Sequence, residues 1–238
     1  KKMNNKNLDN KIIIVCGGKG KRMGKITQTV PKPLIKIGDK TIIEHKIKYY
    51  NSQGIKKFIF CTGYKSNLIK KFLKKKIPNA IFSNAGLNAG ILKRIFFAKD
   101  YVKGNTIISY GDTLAKINFR DLIKKHKKSK CSLTIVVASI KNPFGLVDWN
   151  SNNKVVSFQE KPLLNHYIGY AVVSPKFFNK INSRIVNLND GEGIIKCIKY
   201  LIKKRQVNTY KLKNLQITIN SPEELKYARL NYKKYFTF

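Results

Sequence analysis

The chain has 238 residues, 42% of them hydrophobic, enough for a full core and too many for a disordered polymer. Its formal charge of +37 is extreme, yet the lysines run along the whole length beside abundant isoleucine and asparagine. That is the mark of a diffuse composition bias, and it disfavours a localised nucleic-acid patch, which stays only as a remote alternative.

No apolar run approaches the roughly 18 residues of a membrane span. The start, "KKMNNKNLDNK", lacks the apolar segment of a secretory signal. Cys16, Cys61, Cys131 and Cys197 form no CxxC pair and read as buried, reduced thiols of a cytoplasmic protein.

In chain order, "KIIIVCGG" reads as a buried strand closed by glycines. "TIIEHKIKYYNSQG" spaces Ile43, Ile47 and Tyr50 as a helix does and stops at Gly54. "KKFIFCTG" is a second strand, "SNLIKKFLKKK" a helix, "AIFSN" a short strand and "AGILKRIFFAKDYV" another helix. "NTIISYGD" is a strand that ends in an acid, "NFRDLIKKHKKS" a helix capped by Asn118, and "SLTIVVASI" a strand. Beyond about residue 143 the pattern becomes antiparallel. "FGLVDWNSNNKVVSFQEKP" reads as a hairpin around "NSNN", and "GYAVVSPKFF" as a strand entering a helix. "GEGIIKCIKYLIKKR" is a helix, "VNTYKL" a strand and "SPEELKYARLNYKKY" a terminal helix.

With no repeat and no linker, the expectation is one domain over residues 1–238, with a core over 11–142 and an antiparallel platform over 143–220. The alternation of strands and helices implies a parallel sheet covered on both faces. Ligands of such sheets bind beyond the carboxyl ends of the strands, where Gly17, Gly18, Gly63 and Asp112 fall.

Only twelve acids are present, so each can be weighed. Asp9 lies in the leader, Asp39 in a turn, Asp121 behind a cap, and Glu223 and Glu224 in a helical first turn. Glu44 and Asp100 sit in helices with no special neighbour. Asp112, Asp148, Glu160, Asp190 and Glu192 remain as candidates for chemistry.

"VCGGKGKRMGKITQTVPKPL" carries Gly17, Gly18 and Gly20 behind a strand, where backbone N–H groups can approach a phosphate. Its spacing is neither GxxxxGK[ST] nor GxGxxG, and taken alone it fits a tight turn nearly as well. The prolines on either side of Lys32 fix its backbone, which makes it a directed lysine. Arg22 and Lys32 frame one loop and suit a triphosphate, whereas Lys19, Lys21 and Lys25 read as diffuse charge.

Five stretches in order, "GGKGKRM", "PKPL", "NAGIL", "YGD" and "EKP", resemble the sugar-phosphate nucleotidylyltransferase family over about residues 11–230. The second strand and the helices around it are most similar to its cytidylyltransferase branch. The resemblance implies an α/β, Rossmann-like, mixed and mostly parallel sheet flanked by helices, with a small antiparallel acceptor-side extension. It also implies Mg²⁺-dependent transfer of CMP from CTP to a small phosphorylated acceptor, with pyrophosphate released.

By the same resemblance, Cys16, Gly17, Gly18, Gly20, Asn84, Asn88, Ala89 and Gly90 bind the nucleotide. Arg22 takes its β/γ part, Lys32 the α-phosphate and Lys161 the acceptor phosphate, and Asp112 binds the metal. Gly145, Glu160, Lys161, Tyr167 and Glu192 line the acceptor side.

Two departures matter. The family's second metal aspartate is replaced by Asn220, or by Thr218 if the register shifts by two. An asparagine that reads sugar hydroxyls is replaced by Tyr167, which weakens the case for a sugar, while Glu160 and Glu192 remain as partners for hydroxyls or an ammonium group. The overall resemblance implies a non-sugar acceptor, phosphoglutamine foremost, in surface-polysaccharide synthesis. A glucose or heptose 1-phosphate is the alternative. No nucleic acid or membrane partner is expected, and a homo-oligomer is compatible with everything above.

Overall fold

A computed structural model describes residues 8–214 and 216–236. The first seven residues of the leader lie outside the described residues, and Leu8 to Asn10 already belong to a strand.

The chain opens with β1 (Leu8–Val15), crosses the glycine loop to α1 (Lys25–Thr29), and makes a single helical turn at Lys32–Leu34. A two-rung hairpin, β2 (Lys36–Ile37) and β3 (Lys40–Thr41), leads into α2 (Ile42–Ser52). Then follow β4 (Ile55–Thr62), α3 (Ser66–Lys74), β5 (Ile81–Asn84), α4 (Ile91–Phe97), β6 (Thr106–Tyr110), β7 (Thr113–Ala115), α5 (Phe119–Ser129) and β8 (Leu133–Lys141). The hairpin β9 (Leu146–Trp149) and β10 (Val155–Gln159) precedes β11 (Leu163–Val173), α6 (Lys176–Asn179) and α7 (Ser183–Val186). Last come α8 (Glu192–Lys203), β12 (Val207–Lys211), β13 (Gln216–Thr218) and α9 (Pro222–Phe236).

Seven strands form one sheet in the order β12-β8-β11-β6-β1-β4-β5. β11 runs antiparallel to both neighbours, and the other pairings are parallel. Side chains alternate across each strand, so "III" in β1 serves two cores. Ile12 and Ile14 pack with Phe58, Phe60, Tyr50 and Phe119 beneath α2, α3 and α5. Ile13 packs with Ile59, Cys61, Leu92 and Leu201 beneath α4 and α8. Burial on both faces explains why β1 and β4 read as continuous apolar runs.

The structure corrects several sequence expectations. The helix expected over "AGILKRIFFAKDYV" ends at Phe97, because the Ala98 N–H bonds back to Ile95 only three residues away and tightens the chain into a separate turn at Lys99–Tyr101. The strand expected from Gly169 starts at Leu163 and pairs with β8 across an irregularity between Tyr167 and Ala171. Glu44 does have a special neighbour. Thr41 and Glu44 form a reciprocal capping box at the start of α2, and Lys76 lies 2.8 Å from the carboxylate. Cys16, Cys61 and Cys197 are buried, but Cys131 is only half-buried. Among the described residues no helix is long and apolar enough to cross a membrane.

Candidate active site

The carboxyl ends of β1 and β6 open into a cleft of about 480 Å³. Its near wall is the glycine loop. Gly20 adopts a left-handed φ of 66°, and a Cβ there would meet Thr27 at 2.9 Å. Thr27 in turn donates to the Gly20 carbonyl at 3.0 Å and holds the loop closed. At Gly17 a side chain would collide with Arg94 and the Thr62 carbonyl, so the loop lies flat against the end of β4.

The centre of the cleft is a knot of three side chains. Lys32 Nζ donates to Asp112 Oδ2 at 2.8 Å and to Asn220 Oδ1 at 3.1 Å. Arg22 donates to the same Asn220 oxygen at 2.9 Å. Backbone register brings these residues together. β7 pairs with β13 so that Thr113 faces Thr218, and one step further the Ile219 N–H bonds the Asp112 carbonyl at 3.0 Å. Asn220 is therefore carried beside Asp112. A second capping box fixes its backbone, as Glu224 accepts from the Asn220 and Ser221 N–H groups while Ser221 accepts from the Glu224 N–H. Thr218 instead faces Thr113 inside the β7–β13 pair, so the knot contains Asn220.

Five cations, Lys19, Lys21, Arg22, Lys32 and Arg94, line the cleft against two acids, Asp112 and Asp190. That surplus suits a polyanion. Arg94 is buried and donates to the carbonyls of Thr62, Gly86 and Leu87, tying the 85–90 loop to the end of β4. Burial lowers its pKa. Asp190 accepts from the Ile91 N–H at 3.2 Å and so caps α4. Burial pushes the Tyr110 phenol up to about 12, which keeps it a neutral wall of the cleft. Burial also pushes the Cys16 thiol up to about 12, which rules it out as a thiolate nucleophile near neutral pH.

The family profile described as "Nucleotidyl transferase" matches residues 11–214, which includes the glycine loop, Lys32 and Asp112. The chain belongs to this family. It is 30% identical over 212 residues to the glucose-1-phosphate cytidylyltransferase of Salmonella typhimurium, covering 77% of this chain and 79% of that protein. It is 32% identical over 154 residues to the D-glycero-alpha-D-manno-heptose 1-phosphate guanylyltransferase of Campylobacter jejuni, covering 63% and 67%. HddC from Yersinia pseudotuberculosis shares the fold, with a TM-score of 0.73 over 94% of this chain and 100% of that one, at 22% identity. The enzyme is thus a nucleotidyltransferase on a nucleotide-diphospho-sugar transferase fold.

In this nucleotidyltransferase the expected residues divide in two. Cys16, Gly18, Gly20, Arg22, Lys32, Asn88, Ala89, Asp112 and Asn220 all line the cleft. Gly17 supports the loop from below, and Gly90 caps α4, where a Cβ would lie 3.1 Å from Asp190. Asn84 turns away, its side chain accepting from the Gly86 N–H at 3.0 Å in a local turn.

The acceptor-side residues are not brought to the cleft lining. Lys161 pairs with Glu160 at 3.3 Å, both well exposed, and Gly145 packs against Phe158. Glu192 starts α8 on the surface. Tyr167 packs edge-on against Tyr110 at 5.7 Å, and burial pushes its phenol well above the usual range.

Sequence reasoning assigns Lys19 and Lys21 to diffuse charge, but both line the cleft, where Lys19 donates to Asn88 at 3.2 Å, and it passes over Arg94. Arg94 carried a readable signal. It shares the apolar stripe of α4 with Ile91 and Ile95, where an arginine is out of place unless it serves buried carbonyls.

Proposed function

We propose that this enzyme transfers CMP from CTP to a small phosphorylated acceptor. Phosphoglutamine is the leading acceptor, and surface-polysaccharide synthesis the setting. The observation that carries the reading is the Lys32–Asp112–Asn220 knot in the lining of a cationic cleft. An acceptor phosphate oxygen attacks the α-phosphorus of CTP. The bond from that phosphorus to the bridging oxygen breaks, and pyrophosphate leaves with the electron pair. The acceptor phosphate is largely dianionic near pH 7 because its second pKa is about 6. No general base is required, and the protein's work is positioning and charge neutralisation.

In this scheme the Gly17–Gly20 loop cradles the triphosphate, Arg22 neutralises its outer part and Lys32 the α-phosphate. Lys161 receives the acceptor phosphate, on the 143–220 side of the chain. Asp112 and Asn220 offer a carboxylate and an amide oxygen, hard donors suited to Mg²⁺, and both already converge on one cation, the Lys32 ammonium. Among the described residues no cluster of three or more His, Cys, Asp or Glu side chains is present, so water and substrate oxygens would complete the shell. Bound there, Mg²⁺ would supply Lewis-acid stabilisation of charge on the phosphates.

Asp190, an acid of the cleft lining, supports an amine-bearing acceptor. A glucose or heptose 1-phosphate is the second reading, favoured by what the two named relatives act on. Pyrophosphate release from each of the four NTPs, paired with phosphoglutamine, phosphocholine, glucose 1-phosphate and a heptose 1-phosphate, decides between them. Turnover of CTP with phosphoglutamine is expected, and turnover only with a sugar phosphate would remove the non-sugar acceptor.

A further inference from the structure

The β9–β10 hairpin is a two-faced ribbon with only one face accounted for. Residues paired directly across a ladder share a face. Phe158 stands opposite Val147 and Val155 opposite Trp149, whereas Ser157 stands opposite Asp148 and Gln159 opposite Leu146. One face carries Asp148, Ser157 and Gln159 beside Leu146, with Ser157 donating to Asp148 at 2.7 Å. The other is Val147, Trp149, Val155 and Phe158, and these are 41%, 65%, 65% and 63% exposed. At the end of the neighbouring β8–β11 ladder, Ile140 and Leu164 pair and are exposed as well.

We infer that this apolar face is the contact between two copies of the chain. Area is the first argument. At roughly 150–250 Å² for a whole aromatic side chain and less for valine, the four residues of the hairpin face leave on the order of 400 Å² of apolar surface in water. That is within the roughly 300–600 Å² at which a contiguous exposed patch is often an interaction site, and about half of the ~800 Å² each partner contributes to a standard interface.

Charge is the second argument, and it selects the partner. Within residues 144–164 the acids Asp148 and Glu160 cancel Lys154 and Lys161, so the entire charge of +37 lies outside the hairpin. Two copies of so cationic a chain repel each other over most of their surface. The neutral ribbon is a place where they can approach without that penalty. An anionic membrane would instead be gripped by lysines flanking the aromatic residues, and here the flanks are balanced. A two-fold axis pairs a patch with itself, so a neutral, apolar patch is complementary to its own copy. Because Glu160 and Lys161 directly follow β10, the pairing would also place the exposed acceptor-side residues at the dimer seam.

Trp149 is the chain's only tryptophan and belongs to the proposed contact, in the ladder pair nearest the turn, so it reports directly. The test is sedimentation velocity together with Trp149 emission on the full chain, from sub-micromolar to tens of micromolar. The inference predicts a dimer whose formation shifts the emission to the blue, with Val155→Asp weakening association at least about tenfold. Should that variant fail to fold, the coincidence of dimerisation and emission shift in the wild type still decides. A monomer throughout, or a dimer with unshifted emission, would overturn it. So would an emission shift that appears only with vesicles of anionic phospholipid.

Discussion

Lys32 is the residue on which the site turns. It is fixed between two prolines and held by two oxygens from distant parts of the chain, 80 and 188 positions away. The acceptor side is looser, since Lys161 pairs with its sequence neighbour Glu160 and stays exposed. If Lys161 receives the acceptor phosphate, Lys161→Ala raises the KM for acceptor by about tenfold or more with little change in the KM for CTP, a split read from steady-state kinetics. The reverse split would exchange its role with that of the glycine loop. The thiols give a second prediction. Burial pushes Cys16 and Cys197 up to about 12 and raises Cys61 as well. Alkylation of the native protein near pH 8, mapped by mass spectrometry, should therefore mark half-buried Cys131 first and leave those three until unfolding.

At the scale of elements, the long strands and helices were legible because their periodicity is strong. β1 and β4 are apolar on both faces, and α5 shows its Asn118 cap in the sequence, with Asn118 accepting from the Asp121 N–H at 3.0 Å. The short pieces were not legible. β2, β3, β7 and β13 have two or three residues each, too few for a period, yet β7 and β13 set the register that places Asn220 beside Asp112. Lys46 was hidden for another reason. Among 49 cations it looked ordinary, but it is buried, with its ammonium on the Thr113 carbonyl and the Tyr170 hydroxyl, directly behind Asp112. Only tertiary packing reveals such a lysine.

Element α5 also carries a pH prediction. His126 is buried against β8, with its Nδ1 2.8 Å from Thr134, and burial lowers its pKa from 6.5 to about 4. The folded chain keeps the ring neutral while the unfolded chain takes up a proton below about 6.5. Stability is therefore full above that value and falls as the pH drops toward 4, by about 2 kcal/mol at pH 5. His126→Gln removes the titration, so its Tm should decline less than the wild type's between pH 7 and pH 5. An equal decline would assign the acid sensitivity elsewhere.

For the whole molecule, the diffuse charge and the local site act together. The +37 surface draws anions toward a cleft whose own five cations and two acids do the sorting. The KM for the nucleotide should then rise several-fold between about 0.05 and 0.5 M NaCl, while kcat changes much less because contacts inside the cleft are screened less. A KM insensitive to salt would mean that the surface charge has no part in capture.

The central claim is that the cleft beyond β1 and β6, organised by Lys32, Asp112 and Asn220, is where the nucleotidyl group is transferred. Pyrophosphate release from CTP and acceptor by Asp112→Asn, measured beside the wild type at matched Mg²⁺, tests it most directly. A loss of about a hundredfold or more in kcat, with CTP binding retained, is the predicted result. Wild-type turnover in that variant would contradict the account.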